Sequence, residues 1–156
     1  SKHQTSFSDL EIKDEERNET VKKERKKLNI KLFSGWLPIM ENTEYERILV
    51  TRGDIKLQNE KIDVLGIRKL FSDIHIIETD DGKYDKLEDI KKLYLDDEII
   101  VIGNRIDCEI RYGNLLGLKT IHIKHGKYEK LIPVDRFEIA THSIKIEDLP
   151  ALYKWL

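Results

Sequence analysis

The chain has 156 residues, enough for one domain with a real core, and its 28 Lys and Arg nearly balance 30 Asp and Glu for a net charge of −2. That balance argues against nucleic acid or an anionic membrane surface as a bulk partner. The single Cys108 excludes an internal disulfide framework, no apolar run approaches the ~20 residues that span a bilayer, and the N-terminus lacks a signal-peptide core, so a soluble, cytoplasmic protein is expected.

Residues 1–29 stand apart as a charge-dense segment whose apolar residues Phe7, Leu10, Ile12, Val21 and Leu28 are sparse. Its middle reads as a solvated helix with i,i+4 pairs such as Glu19 and Lys23, peripheral to any core. From residue 30 to 156 the pattern becomes α/β. The β-branched runs "RILVT" (47–51), "DIHIIE" (73–78), "EIIVIG" (98–103) and "TIHI" (120–123) suit strands covered on both faces. Between them, Asp54 caps a helix over "IKLQNEKIDVLG", with Ile55, Ile62 and Leu65 inward and Gly66 ending it. Asp85 caps "KLEDIKKLYL", with Leu87, Ile90 and Leu93 or Tyr94 as its stripe, and "IDCEIRYGNLLG" closes at Gly117. Strands spaced by single helices imply right-handed crossovers and a Rossmann-like parallel sheet with flanking helices.

Ligands of such sheets bind beyond the carboxyl ends of the strands. The segments that follow the runs are Thr51-Arg52-Gly53-Asp54, "TDDGKYDK", "GNRIDCE" and "KHGKYEK", which bring hydroxyl, lysine and carboxylates to one rim. Gly53 and the amides after Thr51, with Lys83, can hold an anion.

From "LFSGWLPIMEN" to the C-terminus the chain resembles the haloacid dehalogenase-like (HAD) superfamily of aspartate-nucleophile phosphatases and related hydrolases. The strand ending in "RILVTRGD" looks like the family's second motif, which implies that Thr51 hydrogen-bonds the transferring phosphoryl group, with Arg52 and Gly53 beside it. "DGKYDKLEDI" is similar to the third motif and implies Lys83, or in another register Lys86, as the neutralising lysine. "GNRIDCEI" resembles the fourth, which implies Asn104 and Glu109 at the two metal-binding acid positions, with Asp107 as an extra acid. The tail "GLKTIHIKHGKYEKLIP…THSIKIEDLPAL" is similar to the family's final strand, loop and closing helix.

Two positions depart from the pattern. The first motif, a hydrophobic strand ending in Asp-x-Asp, has no counterpart before "LFSGW"; the nearest spacing is Asp9 and Glu11 in "SFSDLEI", behind the hydrophilic "KHQTSF". Asn104 supplies a neutral amide where Mg²⁺ prefers a carboxylate, so magnesium binding is expected to be weak or absent. The resemblance places the first-motif strand in mid-sheet, and a gap there leaves backbone groups unpaired. The N-terminal segment can supply a replacement strand, a homodimer or complementary chain can, or the strands can close up in a different order.

Two functions follow from the resemblance. One is a degenerate HAD-like protein, a non-catalytic phosphate- or metal-binding or protein-interaction module. The other is a Mg-dependent phosphatase acting on a phosphorylated small molecule through an aspartyl-phosphate, with its nucleophile supplied unconventionally or by another chain. In either, residues 1–29 are the candidate cap remnant. Bland readings compete: Thr51 as a backbone-satisfied hydroxyl, Lys83 as a surface lysine, and Asp107 and Glu109 as helix-start acids. His122 and His125 lack further ligands nearby, Cys108 reads as a buried hydrophobe, and Trp36 and Trp155 as packing residues.

Overall fold

The computed structural model of the chain describes residues 2–5, 11–14, 30–32, 35–41, 44–95 and 97–156. The elements run β1 (Lys2–Thr5), β2 (Glu11–Asp14), β3 (Ile30–Leu32), α1 (Trp36–Glu41), β4 (Glu46–Arg52), α2 (Ile55–Leu65), β5 (Asp73–Ile77) and α3 (Asp80–Leu93). There follow β6 (Ile99–Gly103), a π-helical turn (Ile106–Ile110) leading into α4 (Arg111–Leu115), β7 (Lys119–Lys124), β8 (His142–Lys145) and a closing 3-10 helix (Ile146–Trp155). Among the described residues, six parallel strands form one sheet in the order β5-β4-β1-β6-β7-β8, and β2 and β3 pair antiparallel beside it.

Alternation along the central strands divides the core into two layers. Leu49 of β4, Ile100 and Ile102 of β6, and Ile121 and Ile123 of β7 face Trp36, Ile39 and Met40 of α1, Ile62 of α2, and Leu149 and Leu152 of the closing helix. Ile48, Val50, Ile99 and Val101, one residue out of phase, face Ile90 and Leu87 of α3 and Leu116 after α4. Strands apolar on both faces with helices on each side are the expected signature of a parallel sheet. Each fully buried side chain of this kind stabilises the fold by roughly 1.5–3 kcal/mol.

The central strand is the place where the sequence reading left three solutions open. β1 lies parallel between β4 and β6, with Thr5 opposite Leu49 on one side and Ile102 on the other. The slot is therefore filled by the chain's own N-terminal segment, the first of the three solutions left open. Lys2, His3, Gln4 and Thr5 include no apolar residue, which is why hydropathy does not reveal the strand. Backbone pairing on both edges places it instead. The helix expected in the middle of residues 1–29 lies outside the described residues, while Lys2–Thr5 and Glu11–Asp14 are strands.

Smaller corrections concern the ends of elements. α2 starts at the expected cap, Asp54 accepting from the Leu57 N–H at 2.9 Å, and stops at Gly66 in the left-handed conformation. Ile55, expected inward, is 56% exposed; the buried residues of the helix are Gln58 and Ile62, three and seven positions on. α3 begins at Asp80, not beyond Asp85: Thr79 caps it by accepting from the Gly82 N–H at 3.1 Å. Of the two candidates for the end of its stripe, Tyr94 packs against the core and Leu93 is exposed. "HSIK" is an edge strand, β8, preceding the closing helix.

Candidate functional site

The carboxyl ends of β4, β5 and β6 bring four segments together. Thr51 is buried near the end of β4, and Gly53 turns the chain out of the strand with φ +150° and its N–H donating to the Ile77 carbonyl at 3.0 Å. A side chain at Gly53 would run into Gln58, whose amide donates to the Arg52 carbonyl at 3.0 Å. Only glycine meets both demands.

From the facing helix comes Lys83, which shares the α3 stripe with Leu87 and Ile90 at helical spacing and is 5% exposed. A buried lysine needs a partner. Its Nζ meets Oε1 of Glu109 at 2.9 Å, and Glu109 is 1% exposed. The second carboxylate oxygen of Glu109 has no hydrogen-bond partner among the described residues. Glu109 reaches this place because it packs over Gly103: a Cβ there would come within 2.6 Å of the glutamate Cβ and 2.8 Å of its Cγ. Lys83 is thus buried at the rim, and Lys86 is half-buried one turn away, near His75.

Asn104 is buried at the end of β6. Asp107 does not turn towards it alone; Arg105 holds the carboxylate in a fork, with Nε to Oδ1 at 3.0 Å and Nη2 to Oδ2 at 3.1 Å. That bond keeps the Asp107 pKa below the ordinary carboxylate value, and burial only partly offsets it. The same fork raises the pKa of Arg105. Arg105 also meets Asp80 at 3.2 Å, Asp80 meets Arg52 at 3.0 Å, and the Arg105 guanidinium lies 4.7 Å from the centroid of the Tyr128 ring. Asp80 and Arg105, neither singled out by sequence, tie the β4, α3 and β6 ends into one network. Their signal was present in the doubled acid of "TDDGK" and the arginine inside "GNRIDCE".

His122 is buried behind Asn104, and burial lowers its pKa more than its bond to the Asn104 backbone raises it. His125 is half-buried beyond the end of β7. Cys108 is buried, and burial pushes its thiol up, as expected of an inert packing residue. Trp36 lies in the core, and Trp155 packs against it while stacking on His142. Asp9 lies outside the described residues; in sequence it is the first carboxylate after β1, four positions beyond Thr5.

Magnesium can be weighed on this donor set. Among the described residues, no group of three or more His, Cys, Asp or Glu side chains is placed to hold a metal. Asn104 is neutral, Asp107 is committed to Arg105, and Glu109 gives one oxygen to Lys83 and keeps the other buried without a partner. Hard divalent cations bind through carboxylates that are free to coordinate. The described side chains do not by themselves fit the ion.

No protein-family model matches the chain, and no curated protein matches it in sequence. Solved structures do. A Thermotoga maritima protein assigned provisionally as a β-phosphoglucomutase superposes with a TM-score of 0.70 at 9% identity, over 99% of each chain. A predicted phosphoglycolate phosphatase from Haemophilus somnus gives 0.64 at 17% identity, over 86% of this chain and 61% of that one. YfnB of Bacillus subtilis, assigned provisionally as a HAD-hydrolase and solved with magnesium bound, gives 0.60 at 20% identity, over 78% of this chain. This chain spans 55% of that protein's length.

Proposed function

On the premise that the chain has a haloacid dehalogenase-like fold, as its structural neighbours show, we propose that it is a degenerate member of that fold group. In this reading the rim at Thr51, Arg52, Gly53 and Lys83 binds the phosphate of a phosphorylated small molecule without turning it over through an aspartyl-phosphate. The observation that carries the reading is the state of the acids around Asn104. A neutral amide stands at the end of β6, and the two nearby carboxylates are held by Arg105 and Lys83. Anion binding needs only donors and positive charge, which the backbone beyond Thr51, the Arg52 side chain and Lys83 supply. Turnover needs more: a carboxylate placed for in-line attack and a second group to move the proton.

A second reading is favoured by the position of β1. It occupies the mid-sheet place from which the first motif acts in this fold group, and Asp9 follows it in sequence. That reading is a phosphatase with Asp9 as its nucleophile.

Calorimetric titration with inorganic phosphate, in the presence and absence of Mg²⁺, tests the binding claim. The expected outcome is measurable phosphate binding that Mg²⁺ leaves unchanged and that Thr51→Val weakens about tenfold, the worth of one hydrogen bond to a charged group. Phosphate binding that appears only with Mg²⁺, or none at all, contradicts the proposal.

A further inference from the structure

The loop between β7 and β8 carries "EKLIPVDR", residues 129–136, which takes no part in the rim at Thr51 and Lys83. Leu131, Ile132, Pro133 and Val134 are consecutive and all exposed, Ile132 at 82% and Val134 at 78%. Ile139, 62% exposed, lines one cavity together with Leu131 and Pro133, so it belongs to the same surface. Single exposed apolar residues are ordinary, whereas a run of four marks a surface that another molecule covers.

The run is also held in place. The Leu131 N–H donates to the Tyr128 carbonyl at 3.2 Å, and the Val134 N–H donates to Oε1 of Glu138 at 3.2 Å. Asn114 of α4 donates to the carbonyls of Phe137 and Ile139 at 2.8 and 2.9 Å, and Arg111 meets Asp135 at 2.9 Å. A surface fixed in this way loses little conformational entropy when it docks.

The flanking charges say what covers it. Glu129 and Lys130 precede the run, Asp135 and Arg136 follow it, and all four are exposed. This order makes the segment its own complement when a second copy crosses it antiparallel. About a twofold axis between Ile132 and Pro133, Glu129 faces Arg136 of the second copy, Lys130 faces Asp135 and Leu131 faces Val134. A parallel approach would set like charge against like. Asp135 already accepts from Arg111 and from the Phe137 N–H, and a carboxylate has room for a further donor. Exposed pairs of this kind add little affinity singly; they fix register and orientation, while the apolar run supplies the attraction.

We propose that residues 129–136 form the centre of a homodimer interface, the run of one copy lying antiparallel on that of a second. The interface stands on these exposed residues alone and does not depend on what the rim binds.

Sedimentation velocity of the full chain over a micromolar concentration series is the test. The expected result is a shift from monomer to dimer and no further, because a twofold contact closes on itself. Ile132→Asp is expected to abolish the dimer while leaving the urea midpoint unchanged at concentrations where the wild type is monomeric. Glu129→Arg sets like charges together and weakens the dimer about tenfold, since the axis counts the change twice, and adding Arg136→Glu restores it. A chain that stays monomeric throughout, its patch then serving some other occupant, overturns the proposal. So does a dimer that Ile132→Asp leaves intact, or a double charge exchange that fails to restore association.

Discussion

Lys83 and Glu109 leave water together, and the dependence of each on the other is the strongest local statement the site makes. With 5% and 1% exposure and a 2.9 Å contact, removing one partner strands a buried charge. Lys83→Met is expected to cost about 3–5 kcal/mol in urea unfolding, while Lys83→Met combined with Glu109→Leu recovers most of the loss. A single variant as stable as the wild type contradicts the pairing. Gly103→Ala is expected to cost about 1–3 kcal/mol, because the new methyl meets the Glu109 side chain at 2.6 Å and either the glutamate or the strand must move. Thermal or urea unfolding of that variant checks the close approach directly. Thr51, Lys83, Asn104 and Glu109 could be named from sequence because the segments that carry them resemble the motifs of the HAD superfamily. The salt-bridge partners could not: which cation takes which acid depends on how α3 and the π-helical turn meet across the sheet.

The helix that carries Lys83 was misplaced at its start, and the reason is a competition between two caps. Asp85 and Thr79 are both acceptable N-cap residues; tertiary packing selects the earlier one, which lengthens α3 enough to bring Lys83 onto the buried stripe. Thr79→Ala is accordingly expected to destabilise by about 1 kcal/mol, while Asp85→Ala, at an exposed position inside the helix, stays within about 0.5 kcal/mol of wild type. The reverse order in chemical denaturation restores the later start. β4, β6 and β7 were legible because strands covered on both faces leave continuous β-branched runs. β1 was not, because "KHQT" has no apolar pattern at all and owes its place to two neighbouring ladders. The edge strand β8 was merged with the segment after it for a related reason. At a sheet edge only one side chain in two needs burial, and in "HSIK" only Ile144 is buried.

Across the molecule, four histidines share one property that bears on its response to acid. Burial holds His75, His122, His125 and His142 below the ordinary value of 6.5. The unfolded chain therefore takes up protons near pH 6.5 that the folded chain still refuses, and stability falls as pH drops from that value through the lowered folded pKa values. The urea midpoint is expected to be lower at pH 5.5 than at pH 7.5, with the difference reduced in His122→Gln; equal midpoints contradict it. The parallel α/β architecture was legible from strand and helix spacing, and solved structures bear out that fold. The question that spacing leaves to chemistry is whether an aspartate after β1 attacks phosphorus. The most direct measurement is release of the aryl alcohol from a generic aryl phosphate by the purified chain with Mg²⁺, run beside Asp9→Asn. The account predicts no release above the uncatalysed rate from either protein. Release by the wild type that Asp9→Asn abolishes would contradict it and make this chain an aspartate-nucleophile phosphatase.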